Sequence, residues 1–341
     1  MRFLPILAAL MLGACTPLMV QQAGVPPQAF QGPRLEPQSF VSFDGARLGL
    51  SRWDAAGEPW AVIVAVHGMN DYANAFHIAG PRWAQSGVTT YAYDQRGFGR
   101  SPQRGVWAGD ALMVEDLRTI TGLVRLAHPK AIVAVVGESM GGSVAIEAFA
   151  SGDPPPADRL VLLSPGVWGW STQPLPYKTL LWLAANLTAS KVYTPPDWVT
   201  RRVQPTDNRA ELVAMGADPL MIWGARSDTL YGLVAMMQRA SDRVGETQVP
   251  TLYLSGAKDE IIPGKAAIRA ARGLQAGQRS AYYPNGWHLL TRDLQGHVVM
   301  DDVVAFIRDP KAPPPSGVGP IPKERPSKNK AQAGGVAEPA G

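Results

Sequence analysis

The sequence predicts an α/β fold with a mostly parallel central sheet, helices on both faces and an inserted helical cap. Three observations carry this. A chain of 341 residues, 46% of them hydrophobic, is long enough to bury one large core. Short apolar runs alternate with longer amphipathic stretches, the pattern of strand–helix–strand units that build a covered parallel sheet. Residues 166–248 then interrupt the alternation with a stretch far longer than an ordinary connection, which marks an insertion.

Taken in order, residues 1–14 hold Arg2, the apolar run Phe3–Leu12 and the small pair Gly13-Ala14, directly ahead of Cys15, the single cysteine. A charged start, a short greasy run and a small-residue processing site read as an export signal, too short to span a bilayer. Leu12-Gly13-Ala14-Cys15 resembles the lipobox of bacterial lipoproteins. That resemblance implies Cys15 as a lipidated membrane anchor and a place in the bacterial cell envelope, facing the periplasm or the exterior. A cleaved signal with an incidental cysteine is the alternative. Residues 15–38, rich in proline, glutamine and glycine, then read as a flexible linker.

The body is expected over residues 39–165 and 249–309. It opens with a hairpin, Phe40 to Leu50 turning at Asp44-Gly45, because Asp-Gly favours the positive dihedrals of a tight turn. Buried parallel strands follow at Ala61–Val66, Val88–Tyr93, Ala131–Val136, Leu160–Leu163, Thr251–Leu254 and Ser280–Tyr283. Helices fit between and after them at Ala73–Gln85, Ala111–Leu126, Ser143–Ala150, Lys265–Leu274 and Val298–Ile307. Residues 310–341 are proline-rich with almost no large apolar side chains, and read as a disordered basic tail. The net charge of +4 resides in that tail and in Arg2, so the body is neutral and no nucleic-acid partner is implied.

The chemistry centres on Gly137-Glu138-Ser139-Met140-Gly141. A G-x-S-x-G match alone is weak, but here an apolar strand leads into it and a helix follows, the strand–turn–helix that exposes a strained serine. A serine hydroxyl needs a base to take its proton and a carboxylate to orient that base. His288, just past the last strand, is the chosen base. His67 suits shaping a loop, while His77, His128 and His297 suit surface or packing roles. Asp259, at the carboxyl end of Thr251–Leu254, is the chosen carboxylate, ahead of Asp94, Asp228 and Asp293. The oxyanion donors are then the backbone amides of Met140, after the nucleophile, and Met69, after an earlier strand.

These motifs, with His67-Gly68, Asp94 through Ser101, Gly256-Ala257-Lys258-Asp259 and His288-Leu289-Leu290, resemble the α/β-hydrolases of the monoacylglycerol lipase and lysophospholipase group, also described as serine aminopeptidase-like. The likeness spans about residues 39 to 309 and implies a serine triad of Ser139, Asp259 and His288, without metal or cofactor, acting on a small-molecule or lipid ester through an acyl-enzyme. Glu138 departs from the histidine common before the serine in that group, and either tunes the serine's surroundings or lies on the surface. In the cap, Trp168, Trp170, Trp182, Trp198 and Trp223 with Met215, Met221, Met236 and Met237 line an acyl tunnel or form the cap's own core. Two other functions stay open. An aminopeptidase-like enzyme would need a cap acid such as Glu211, Asp207 or Asp228 to bind the amine. A non-catalytic envelope scaffold would keep the fold alone.

Overall fold

The structure, a computed structural model, describes residues 18–200 and 202–324. Cys15, the export signal and residues 325–341 lie outside the described residues. The strands are β1 (Arg34–Leu35), β2 (Ser39–Val41), β3 (Arg47–Trp53), β4 (Ala61–Val66), β5 (Val88–Tyr93), β6 (Ile132–Glu138), β7 (Arg159–Leu163), β8 (Val192–Tyr193), β9 (Ala225–Arg226), β10 (Thr251–Gly256) and β11 (Arg279–Tyr283). All but β8 and β9 form one nine-stranded sheet, ordered β1-β2-β3-β5-β4-β6-β7-β10-β11. From β5 to β11 the pairing is parallel, and β1 to β3 join antiparallel at one side. The expected hairpin is there, with Gly45 at φ 82 in its turn.

The α-helices of the described residues are α1 (Ala79–Gln85), α2 (Asp110–Ala127), α3 (Met140–Phe149), α4 (Leu175–Leu187), α5 (Asp197–Thr200), α6 (Arg209–Ala217), α7 (Ser227–Arg243), α8 (Gly264–Ala271) and α9 (Gly296–Arg308). In α2, Met113, Leu117, Ile120 and Val124 recur at helical spacing and face the sheet, joined there by α3, α7 and α8. Trp83 of α1 and Val299, Phe306 and Ile307 of α9 fill the core on the opposite face.

Several expectations need correction. The helix expected over Ala73–Gln85 is broken into a 3-10 turn, Ala73–Phe76, and α1. The restart puts Pro81 in a first turn, where its missing N–H costs no hydrogen bond. The expected flexible linker packs from Leu18 onward. Gln21 is buried and its amide donates to Trp107 O at 2.9 Å, the Gly24 amide donates to Asp44 at 2.6 Å, and β1 pairs with β2. Backbone hydrogen bonds hold this strap, and they leave no hydrophobic period to read. The tail likewise packs as far as the described residues go. Tyr282 N–H donates to Gly319 O at 2.9 Å, Ser316 binds Asp302, and Ile321 is buried against the body. Lastly, the cap gives way to the body before residue 248, because Met236, Met237 and Ala240 of α7 lie in the main core.

Candidate active site

Parallel strands release their chains at one edge of the sheet, so the loops after β4, β6, β10 and β11 share it. Ser139 is the single residue between β6 and α3, with φ 52 and ψ −119, a left-handed conformation costly to a residue with a side chain. The helix therefore begins at Met140, three residues earlier than the sequence pattern implies, because Gly141 and Gly142 belong to its first turn. A Cβ on Gly141 would lie 2.2 Å from Val66 O, so only glycine lets α3 start this close to β4. β7 and the loop after it secure the turn: Ser139 N–H donates to Leu163 O at 3.0 Å, and Ser139 O accepts from Gly166 N–H at 2.8 Å.

The loop after β4 approaches the same serine. A Cβ added at Gly68 would sit 3.1 Å from Ser139 Cβ and 3.6 Å from its Oγ, which brings the Gly68-Met69 peptide beside the hydroxyl. His67 shapes that loop, as its position implies. Its Nε2 accepts the Gln95 amide at 2.9 Å, so Nδ1 carries the proton and donates to Gly68 O at 2.7 Å. Complete burial pushes the His67 pKa down and keeps the ring neutral. On the other side, Met140 N–H opens α3, where helix geometry supplies no intrahelical acceptor.

Asp259 and His288 are brought together by two interlocked loops. Ala257 N–H donates to Tyr283 O and Lys258 N–H to Gly286 O, each at 2.9 Å. A Cβ on Gly256 would fall 2.3 Å from Gly286 O, so this approach also requires glycine. One Asp259 oxygen, Oδ1, accepts the amides of Ile261 and Ile262 at 2.8 Å, and Oδ2 accepts His288 Nδ1–H at 2.9 Å. The carboxylate fixes the tautomer and leaves Nε2 as the basic atom. Burial alone would depress the His288 pKa. Asp259, aided by Glu138 and opposed by Arg292, instead lifts it above the usual histidine value. Ser139 Oγ has no hydrogen-bond partner among the described residues, and such contacts commonly tighten once substrate binds.

The rival carboxylates are committed elsewhere. Burial would raise the Asp94 pKa, yet Arg100 and the amides of Arg100 and Ala73 hold it below the ordinary range. Asp228 pairs with Arg226 at 2.6 Å. Asp293 Oδ2 accepts the Trp287 amide at 2.8 Å, and burial pushes this carboxyl up to about 6.

Glu138 is fully buried, which excludes the surface role. It meets Arg292, a residue that sequence reasoning passed over. Arg292 is 2% exposed and contacts Glu138 at 2.6 Å, Asp71 at 2.8 Å and Glu211 at 3.8 Å. Its neighbours Thr291, Asp293 and Gln295 are polar, so the sequence gives no signal that this arginine is buried.

The cap's aromatic and sulfur side chains divide. Met236 and Met237 are core, Trp182, Trp198 and Trp223 are exposed, and Trp168 lines an apolar cavity of about 640 Å³ under α4 with Tyr177, Leu181, Leu187, Leu230 and Val234.

The family described as serine aminopeptidase, S33, matches residues 57–295, which takes in this serine, both of its candidate partners and the cap. The chain belongs to this family. It is 28% identical over 281 residues to the monoacylglycerol lipase of Mycolicibacterium smegmatis, covering 79% of this chain and 95% of that protein. It is 26% identical over 280 residues to the monoglyceride lipase of Rattus norvegicus, covering 77% and 89%. Among solved structures, a soluble variant of monoglyceride lipase from Saccharomyces cerevisiae matches with a TM-score of 0.67 at 17% identity, covering 83% of this chain and 97% of that one. The α/β-hydrolase fold expected from the sequence is thereby borne out.

Proposed function

We propose that this chain hydrolyses monoacylglycerol-type lipid esters, with Ser139 as nucleophile, His288 as general base and acid, Asp259 orienting it, and the Met69 and Met140 amides receiving the oxyanion. The observation that carries the reading is the buried His288–Asp259 pair at 2.9 Å, on the sheet edge that bears the strained Ser139. The chain is a carboxylic ester hydrolase, in keeping with its family and its monoacylglycerol lipase relatives.

In the first step His288 Nε2 takes the Ser139 proton as Oγ bonds to the ester carbonyl carbon. The carbonyl oxygen gains the negative charge that the two amides receive. The carbon–oxygen bond to the alcohol then breaks, and the imidazolium protonates the leaving alkoxide. Water repeats the sequence on the acyl-enzyme and releases a fatty acid. The apolar hollow of about 640 Å³ lies in the cap and is lined by none of Ser139, Asp259 and His288; an acyl chain that reached it from the serine and buried roughly ten methylenes would gain up to about 8 kcal/mol before ordering costs. We expect medium or long monoacylglycerols to be turned over faster than acetate esters, and Ser139→Ala to lose about 10⁴- to 10⁶-fold in rate. A flat or reversed chain-length profile in a fatty-acid release assay counts against the lipid substrate.

The aminopeptidase alternative shares the family's description but finds no free amine-binding acid among those weighed for it. Glu211 is paired with His77 and Arg292, Asp228 with Arg226, and Asp207 accepts the Leu294 amide, so the three acids weighed for that role are already engaged.

We further propose that Cys15 is lipidated and tethers the enzyme in the cell envelope. Among the described residues no helix is long and apolar enough to cross a membrane. The strap supports the reading: Met19 N–H donates to Asp228 at the start of α7, beside β9, which pairs with β8. The strap thus begins beside the cap, whose helix α4 exposes Leu175, Tyr177, Leu180 and Trp182. Labelled palmitate is expected to enter the wild-type chain and not Cys15→Ser; equal incorporation in both ends the idea.

A further inference from the structure

Arg292 joins four separate stretches of chain. Its own loop carries His288. Its Nη2 donates to Glu138 Oε1 at 2.6 Å, immediately before Ser139, and its Nη1 donates to Asp71 Oδ2 at 2.8 Å, two residues past Met69. The same Nη1 lies 3.8 Å from Glu211 Oε1 on cap helix α6, and Arg292 O accepts Asn208 Nδ2–H at 3.1 Å, just ahead of that helix. Glu211 in turn meets His77 Nε2 at 3.4 Å. A buried cation facing three carboxylates is an expensive way to build a core, since apolar side chains of similar volume would do as well or better. The cluster is also incomplete, because Arg292 Nε and Glu138 Oε2 are buried without partners.

We propose that Arg292 is a positioning residue for ester hydrolysis, seating the oxyanion loop through Asp71, the nucleophile turn through Glu138 and the cap through Glu211 on one buried guanidinium. The planar fork suits this task, since Nη1 and Nη2 are held apart in one rigid plane, whereas a lysine ammonium places all its donors on one compact nitrogen. The charges around His288 follow from the same arrangement. Asp259 from the β10 loop and Glu138 from the nucleophile turn favour the imidazolium, Arg292 from its own loop opposes it, and Asp293 is occupied by the Trp287 amide. Glu138 itself faces Arg292, Asp71 and His288. Glutamine at 138 keeps the shape and an oxygen for Arg292 while deleting the charge.

The inference rests on the reading of Ser139, His288 and Asp259, so hydrolysis of p-nitrophenyl butyrate is measured first for wild type and Ser139→Ala. Equal rates there overturn that reading. With Ser139-dependent turnover in hand, Glu138→Gln is expected to lower kcat about 10- to 100-fold with KM within about twofold, the scale of a small misplacement of catalytic groups. The acid limb of its kcat/KM profile should move to lower pH, because a charge favouring protonated His288 is gone. Arg292→Lys should lose kcat to a similar degree. A folded Glu138→Gln variant with wild-type kcat and an unmoved acid limb overturns the proposal alone. If that variant does not fold, Arg292→Lys decides, and wild-type kcat in it overturns the proposal. Failure of both to fold, read by circular dichroism, assigns the cluster to stability and overturns it too.

Discussion

Arg96 and Arg292 are both sealed from solvent among carboxylates, but only one sits at the candidate site. Arg96 makes two complete forks, to Asp44 through Nη1 and Nη2 at 2.8 Å, and to Asp116 through Nε at 2.6 Å and Nη2 at 2.8 Å. Ser42 Oγ and the amides of Gly24 and Ala46 fill further positions on these acids. Arg292 touches three acids, one of them only at 3.8 Å, and its Nε has no partner. A saturated cluster can serve stability alone. One with unpartnered atoms beside the proposed general base, His288, gives up part of that stability, which is the pattern expected where function sets the constraint.

The largest effect should come from breaking the saturated cluster. Arg96→Met leaves Asp44 and Asp116 buried without their cation, and urea denaturation should show a loss of about 3–5 kcal/mol. Its kcat/KM, measured well below the melting temperature, should match wild type; an altered value would mean the two clusters do not differ as argued. A smaller effect sharpens the other side. The His77 pKa is raised above the usual 6.5 chiefly by its hydrogen bond to Glu211. Glu211→Gln should therefore bring the His77 titration, followed by NMR, to lower pH. A raised histidine pKa contributes stability that is fully present below the unfolded value and is lost as pH rises through the folded value. The His77 part of the loss should accordingly be under about 1 kcal/mol on the acid side and vanish well above the folded pKa, the pair being partly exposed, on top of a pH-independent loss from the Arg292–Glu211 contact.

Much of this molecule was legible in its sequence because parallel sheets write themselves as apolar runs. Ala61–Val66 and Val88–Tyr93 are strands with the expected limits, and Asp259 and His288 end up hydrogen-bonded because each follows a strand in the same sheet. What stayed hidden lacks a period. Glu138 and Arg292 are charged residues in a turn and a loop, where nothing in the order of residues separates a buried ion pair from a solvated one. The strap from Leu18 and the segment through Ile321 are held by backbone and hydroxyl bonds such as Gln21 to Trp107 and Ile321 to Ser280. Composition reads such segments as linkers.

The segment after α9 has a bearing on self-association. β11 is the last strand of the sheet, and an uncovered last strand offers a row of backbone donors and acceptors to any other chain. Gly319 O takes the Tyr282 amide and Ser280 Oγ takes that of Ile321, so the proline-rich stretch lies along that strand as a guard rail, its own prolines unable to extend the ladder further. Trimming the chain at residue 310 to obtain a tidier protein would strip the guard away and leave the sheet open to edge-to-edge aggregation.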